Sequence, residues 1–266
     1  MCLIVFAWQA HPSYPLVLAA NRDEFLDRPT LQLDYWKDLP DVLGGRDVEK
    51  GGSWLATHVD GRWAAVTNFR DGGTASSPAN LSRGHLVMNY VASGDQAKDY
   101  ARHIAQPLAE YAGCNLLVGD SESLFFVSNR FQGERRARAE SVTTGVHGLS
   151  NHSLDTPWPK VQRAKRKLRQ LIDDGSELRE DDLFGLLADR TPAQDDELPS
   201  TGVPVEWERV LSPPFIVSES YGTRASTVVL MSKDGTVNVY ERSFGAGGVE
   251  LDRRAVTFRV DNIQAR

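Results

Sequence analysis

Cysteine is scarce in this chain: Cys2 and Cys114 are the only two in 266 residues. That is too few for a disulfide framework, so a reducing, cytoplasmic compartment is the expectation. Long hydrophobic runs are missing as well. The opening apolar stretch is short, has no basic segment ahead of it and meets His11-Pro12 within a few residues, so no stable membrane insertion is expected. Positive charge is not in excess either; a net charge of −6 gives no electrostatic reason to expect nucleic acid as a partner. The six histidines, His11, His58, His85, His103, His147 and His152, fall in no H-E-x-x-H, C-x-x-C or C-x-x-C-H spacing, which argues against a metal site or covalently attached haem. Nucleotide-binding fingerprints are absent too, since Gly245-Ala246-Gly247-Gly248 is not followed by a helical pattern. What remains is 41% hydrophobic and 25% charged residues, an ordinary globular composition, with no internal repeat or linker to divide residues 1–266 into more than one domain.

Strands are expected at Cys2–Trp8 and Leu16–Ala20, both rich in apolar residues and separated by the Pro12–Pro15 turn. Residues 25–50 carry Pro29, Pro40 and Gly44-Gly45 without a sustained period and read as a long loop. Asp60-Gly61 between two apolar runs predicts a hairpin. The 71–81 stretch, rich in Gly, Ser and Pro, reads as loop, followed by helices over 82–91 and 95–111. A hairpin at 114–129, a short strand at 145–151, a helix at 157–172 and a shorter one near 183–187 come next. Lys160, Arg163, Lys165, Arg166, Lys167 and Arg169 are assigned to the solvated face of the longer helix. Strands near 227–231, 237–241 and 255–260 close the chain. Strands, then helices, then strands again give an α+β fold, and strands apolar on both faces suit two stacked sheets with helices outside.

Two stretches carry the candidate chemistry. If Met1 is removed, Cys2 brings together a thiol and a free α-amine, a nucleophile with its own base; the bland alternative is a small buried hydrophobe. The second strand runs into Asn21-Arg22-Asp23-Glu24, where Arg22 can lower the thiol pKa or pair with a substrate carboxylate and Asp23 can orient the α-ammonium group. A strand-end salt bridge explains the same residues without function. Asn151 and Arg224, also at strand ends, are candidates for oxyanion and anion stabilisation. Ligand contacts are placed at Asn21, Glu24, Arg46, Trp54, Asn68 and Tyr221, beside glycine pairs or at strand ends. Cys114 is read as core.

Met1-Cys2-Leu3-Ile4, Ala19–Phe25 with Arg28-Pro29, Gly51–Leu55, Leu149-Ser150-Asn151 with Thr156-Pro157-Trp158, and Tyr221-Gly222-Thr223-Arg224 together resemble the NRDE family, also called the transport and Golgi organisation protein 2 family. The resemblance runs from end to end. It implies an N-terminal nucleophile hydrolase-like fold, a four-layer αββα sandwich. In cysteine amidases of that type it implies roles for the positions equivalent to Cys2, Arg22, Asp23, Asn151 and Arg224, although the adjacency of Arg22 and Asp23 departs from the amidase spacing. The family resemblance also implies intracellular haem trafficking or the handling of lipids and acyl-CoA. Two functions follow as expectations. One is a cysteine amidohydrolase or thioesterase-like acyl transferase that needs no cofactor; the other is a non-catalytic carrier with haem or an acyl-CoA as cargo. Each takes a small amphipathic or anionic ligand.

Overall fold

The computed structural model describes residues 2–72, 81–131, 136–175 and 177–260. In chain order the elements are β1 (Cys2–Trp8), β2 (Leu16–Phe25), β3 (Thr30–Trp36), β4 (Leu39–Asp47), β5 (Leu55–His58), β6 (Trp63–Asn68), α1 (Gly84–Ala92) and α2 (Ala97–Ala105). Then come β7 (Cys114–Gly119), β8 (Leu124–Ser128), β9 (Arg138–Ser141), β10 (Gly145–Leu149), α3 (Pro159–Asp173), α4 (Glu180–Leu187), α5 (Val205–Val210), β11 (Tyr221–Met231), β12 (Thr236–Phe244) and β13 (Glu250–Arg259). Six strands form one antiparallel sheet in the order β10-β1-β2-β11-β12-β13. Seven form the other as a meander, β3 to β9.

Side-chain alternation along β1 and β2 makes the layers. Ile4, Phe6, Trp8, Leu16, Leu18 and Ala20 face the second sheet, against Leu33, Leu43, Leu55, Trp63 and Leu117. Leu3, Val5, Ala7, Val17 and Ala19 face outward and are covered by Val161, Ala164 and Leu168 of α3 and by α4. The outer face of the second sheet is covered by α1 and α2 through Leu86, Val87, Tyr90, Tyr100 and Ala101. Helix, sheet, sheet, helix is the αββα order. Cys114 is buried in the α1–α2 layer, where burial pushes its thiol up to about 12.

Residues 25–50 are not a loop. They contain β3 and β4, whose pairing is interrupted by register shifts between Leu31 and Asp34 and between Tyr35 and Trp36. Irregular pairing and an exposed edge leave little hydrophobic period to read. The loop reading for 71–81 falls largely on residues 73–80, which lie outside the described residues. α5 and β9 are further elements without a clear sequence signal.

A buried carboxylate links the sheets. Glu241 on β12 accepts from the Leu33 backbone N–H on β3 at 2.7 Å and from Thr227 Oγ1 at 3.1 Å. Its burial pushes it up to about 7 from an ordinary carboxylate value of 4.5. Between those two values the unfolded chain binds fewer protons at this site than the folded one. Stability therefore falls as pH rises through that window, by about 3 kcal/mol in all for a shift of this size. Glu241→Gln keeps an acceptor and removes the titration. It is expected to flatten the change in urea midpoint between pH 5 and pH 8; an unaltered slope would show that the loss originates elsewhere.

Candidate functional site

The register of the first two strands sets Cys2 directly opposite Arg22. Both belong to the set of side chains facing the second sheet, and at this end of the sandwich the sheets leave a cleft of about 370 Å³. Its wall includes Cys2, Arg22, Asp23, Glu24 and Arg28 from the first hairpin and the turn after it, and Asp47, Lys50, Ser53, Trp54 and Asn68 from the second sheet. Leu81, Ser82, Arg83 and Gly84, leading into α1, close the far side.

Cys2 is partly exposed. Burial of the thiol raises its pKa; Arg22 and a hydrogen bond from the Asp23 backbone N–H act in the opposite direction, favouring thiolate. Arg22 is only 5% exposed; its guanidinium lies 4.6 Å from the Trp54 ring centroid, and Nη2 is 3.6 Å from Glu24 Oε2. Arg22 Nη1 is buried with no hydrogen-bond partner among the described residues. Arg28 binds Asp47 Oδ2 through Nε and Nη2 at 2.9 and 2.7 Å and approaches Glu24 at 3.8 Å. Among the described residues the charged rim carries the cations Arg22, Arg28, Lys50 and Arg83 and the carboxylates Asp23, Glu24 and Asp47.

Gly45 and Gly52 shape the walls by allowing close packing. A Cβ on Gly45 would stand 2.1 Å from Trp54 Cη2, and one on Gly52 would stand 2.4 Å from the Gly84 carbonyl carbon. The first lets Trp54 lie flat against β4, and the second lets the β4–β5 connection touch the start of α1, where Ser53 N–H donates to the Gly84 carbonyl.

Of the positions singled out from sequence, the structure gathers Cys2, Arg22, Asp23, Glu24, Trp54 and Asn68 at the cleft. The others are engaged elsewhere. Asn21 points to the helical layer, donating to the Leu187 and Pro214 carbonyls and accepting from Ser226. Asn151 sits beside the cleft and donates through Nδ2 to the Asn68 carbonyl, while its neighbour Ser150 donates to the Cys2 carbonyl. Arg224 Nη1 holds the carbonyls of Phe25, Leu26 and Arg28. Tyr221 donates to the Asp23 carbonyl. Arg46 stacks 4.5 Å from the Trp36 ring and pairs with Asp38. Each of these five supports a chain segment next to the site.

Arg28, Lys50 and Arg83 were not singled out as ligand contacts. Arg28 stood in the motif Arg28-Pro29, but nothing local marked Lys50 or Arg83, which reach the cleft only because α1 packs on β5 and β6. Lys160 is a correction. It is not on a solvated face: it is 2% exposed and donates to the Leu211 carbonyl at 3.0 Å. Its position in the first turn of α3 brings it under the segment containing α5. Met1 and its removal lie outside the described residues. Among the described residues no group of three His, Cys, Asp or Glu side chains is arranged to hold a metal ion, and no helix is long and apolar enough to cross a membrane.

Two antiparallel sheets between helical layers, with a cysteine on the first strand facing a cleft at the open end, define an N-terminal nucleophile hydrolase-like fold. The same fold is found in the Caenorhabditis elegans N-acylethanolamine-hydrolyzing acid amidase ortholog, at TM-score 0.54 with 10% identity, covering 86% of this chain and 92% of that one. A variant of the conjugated bile acid hydrolase from Clostridium perfringens also matches, at TM-score 0.50 with 10% identity over 96% of this chain and 92% of that one. Residues 1–246 match the family Transport and Golgi organisation 2, and the chain belongs to that family. The bovine homolog is 32% identical over 264 residues, covering 91% of this chain and 93% of its own. The Drosophila melanogaster protein is 26% identical, with 91% and 92% covered.

Proposed function

We propose that the cleft is the active site of a cysteine amidohydrolase or thioesterase-like acyl transferase acting on a small amphipathic anion. The observation that carries this reading is the placement of the Cys2 thiol opposite Arg22 on the wall of a charged cleft. In a chain that begins at Cys2, the α-amine takes the thiol proton and the sulfur attacks the carbonyl carbon, forming a C–S bond and an oxyanion. Arg22 and the Asn68 side chain, both on the cleft wall, are the donors offered to that oxyanion, because the Asn151 amide is occupied. Collapse breaks the bond to the amine or thiol leaving group, which receives the proton held by the ammonium. Water, or another nucleophile, then takes the acyl group from sulfur and returns the proton, restoring Cys2.

The same cations support a second reading, a carrier that binds an amphipathic anion without turnover, an acyl-CoA or haem. For haem, Cys2 is the one thiol on the wall among the described residues, and no histidine lines it. Rapid quenching after mixing with a short acyl thioester separates the readings. The expected result is loss of Met1 in the intact mass and one acyl group on the Cys2 peptide. Saturable binding with Met1 retained and no adduct supports the carrier.

A further inference from the structure

The segment just past β10, residues 150–152, is hydrogen-bonded across the sandwich to the second sheet. Thr67 Oγ1 on β6 donates to the Ser150 carbonyl at 2.8 Å and accepts from Asn115 Nδ2 on β7 at 3.1 Å. Asn115 also donates to the His152 carbonyl at 2.9 Å, and the Arg70 backbone N–H donates to the Asn151 carbonyl at 2.7 Å. In the other direction Asn151 Nδ2 donates to the Asn68 carbonyl at 3.0 Å. Thr67, Asn115, Ser150 and Asn151 are all buried, so water does not compete for these bonds. The segment is thereby tied to the strand that carries Asn68, on the wall of the cleft across from Cys2. One further bond leads from it to the first strand. Ser150 Oγ donates to the Cys2 carbonyl at 3.0 Å; Asn151 Oδ1, at 3.3 Å, is the more distant acceptor for the single hydroxyl proton.

We propose that Ser150 is a positioning residue for Cys2: its hydroxyl anchors the Cys2 carbonyl to the braced segment and so holds the thiol on the cleft wall, facing Arg22. The register between β1 and β10 ends at Ile4 opposite Leu149, two residues short of Cys2. On that side of β1 the Ser150 hydroxyl takes the place of a ladder bond. In a chain that begins at Cys2 no peptide bond precedes the residue, and rotation about its Cα–C bond swings the thiol and the α-amine together. Fixing the carbonyl stops that rotation, and a small misplacement of a reacting group is costly. The brace also sets the distance between Cys2 on the first sheet and Asn68 on the second, because both are bonded to the same two residues, Ser150 and Asn151. The proposal rests on the nucleophile reading given above, but the placement of the thiol can be measured without any turnover.

The test is alkylation of Cys2 by iodoacetate and by iodoacetamide, read as the adduct on the Cys2 peptide. Both reagents attack the same thiolate and differ in charge, so the ratio of their rates reports whether the sulfur faces Arg22. In the wild type the ratio is expected to exceed that of free cysteine. Ser150→Ala is expected to lower it about tenfold, within the range that small misplacements cost, while the iodoacetamide rate stays nearly unchanged. Ser150→Thr, which keeps the hydroxyl, is expected to restore it. An equal ratio in Ser150→Ala and the wild type overturns the proposal. So does a wild-type ratio no higher than that of free cysteine, a result that holds whether or not the variants fold. If the protein turns over a short acyl thioester, Ser150→Ala should lower kcat and leave KM nearly unchanged, since the hydroxyl is bonded to the Cys2 carbonyl and not to the ligand. A lowered ratio with no turnover on any substrate would leave Ser150 in its role and remove the hydrolase reading instead.

Discussion

Cys2→Ala is expected to eliminate the acyl-enzyme and to lower turnover of an amide or thioester substrate on the order of 10^4-fold or more, as loss of a covalent nucleophile does elsewhere. Cys2→Ser should retain only a trace, because a hydroxyl beside the same amine is far less ionised than a thiol. The fold should be unaffected. Cys2 sits at the end of β1, and the interior of that strand is held by Leu3 to Trp8 packed on both faces. Unfolding midpoints equal to wild type, together with unimpaired binding of the substrate anion through Arg22, Arg28, Lys50 and Arg83, would assign the loss to chemistry. Equal rates in the wild type and Cys2→Ala would refute the enzyme reading and leave the carrier.

Glu208→Gln is expected to lower stability by about 3–5 kcal/mol, because it removes one partner of a buried ion pair and strands the other. Both side chains are almost wholly enclosed, and Arg70 already has Nε and Nη2 buried without hydrogen-bond partners among the described residues. Burial lowers the Arg70 pKa and Glu208 opposes that shift, so without Glu208 the guanidinium would share its pocket with Lys160 and meet repulsion. Thr201 also loses a charged acceptor, since its backbone N–H and hydroxyl both donate to Glu208 Oε1. Replacing both partners, Arg70→Met with Glu208→Leu, should recover much of the loss, since an apolar pair leaves no uncompensated charge. Urea unfolding of the single and double variants checks this. A single variant within 1 kcal/mol of wild type, roughly the value of an exposed pair, would show that water reaches the pair.

Local pattern was enough for the hairpin around Asp60-Gly61, for the β7–β8 pair and for α3, where Val161, Ala164 and Leu168 recur at helical spacing behind Pro159. It failed at β3 and β4 because their register shifts break the alternation, and because Gly44 and Gly45 are present for close approach to Ala56 and Trp54 and not to make a turn. It failed at Lys160 for another reason. A basic residue among five others on one helix reads as solvated, and only the segment carrying Leu211 and Glu208, some 50 residues later, covers it.

By itself the sequence singled out the candidate residues at the open end of the first hairpin. Strand alternation and the short Pro12–Pro15 turn oblige Cys2 and Arg22 to pair on one face, and the motif residues place the chain in its family. Only the tertiary structure decided the rest of the site. Whether Asn151, Arg224 and Asn21 face a ligand depends on carbonyls supplied by distant segments, and these engage all three elsewhere. Arg83 and Lys50 become cleft cations, and Lys160 a buried side chain donating to the Leu211 carbonyl, through packing between layers. A local sequence window records hydrophobic period and turn chemistry; it does not record which distant segment will close over a charged side chain.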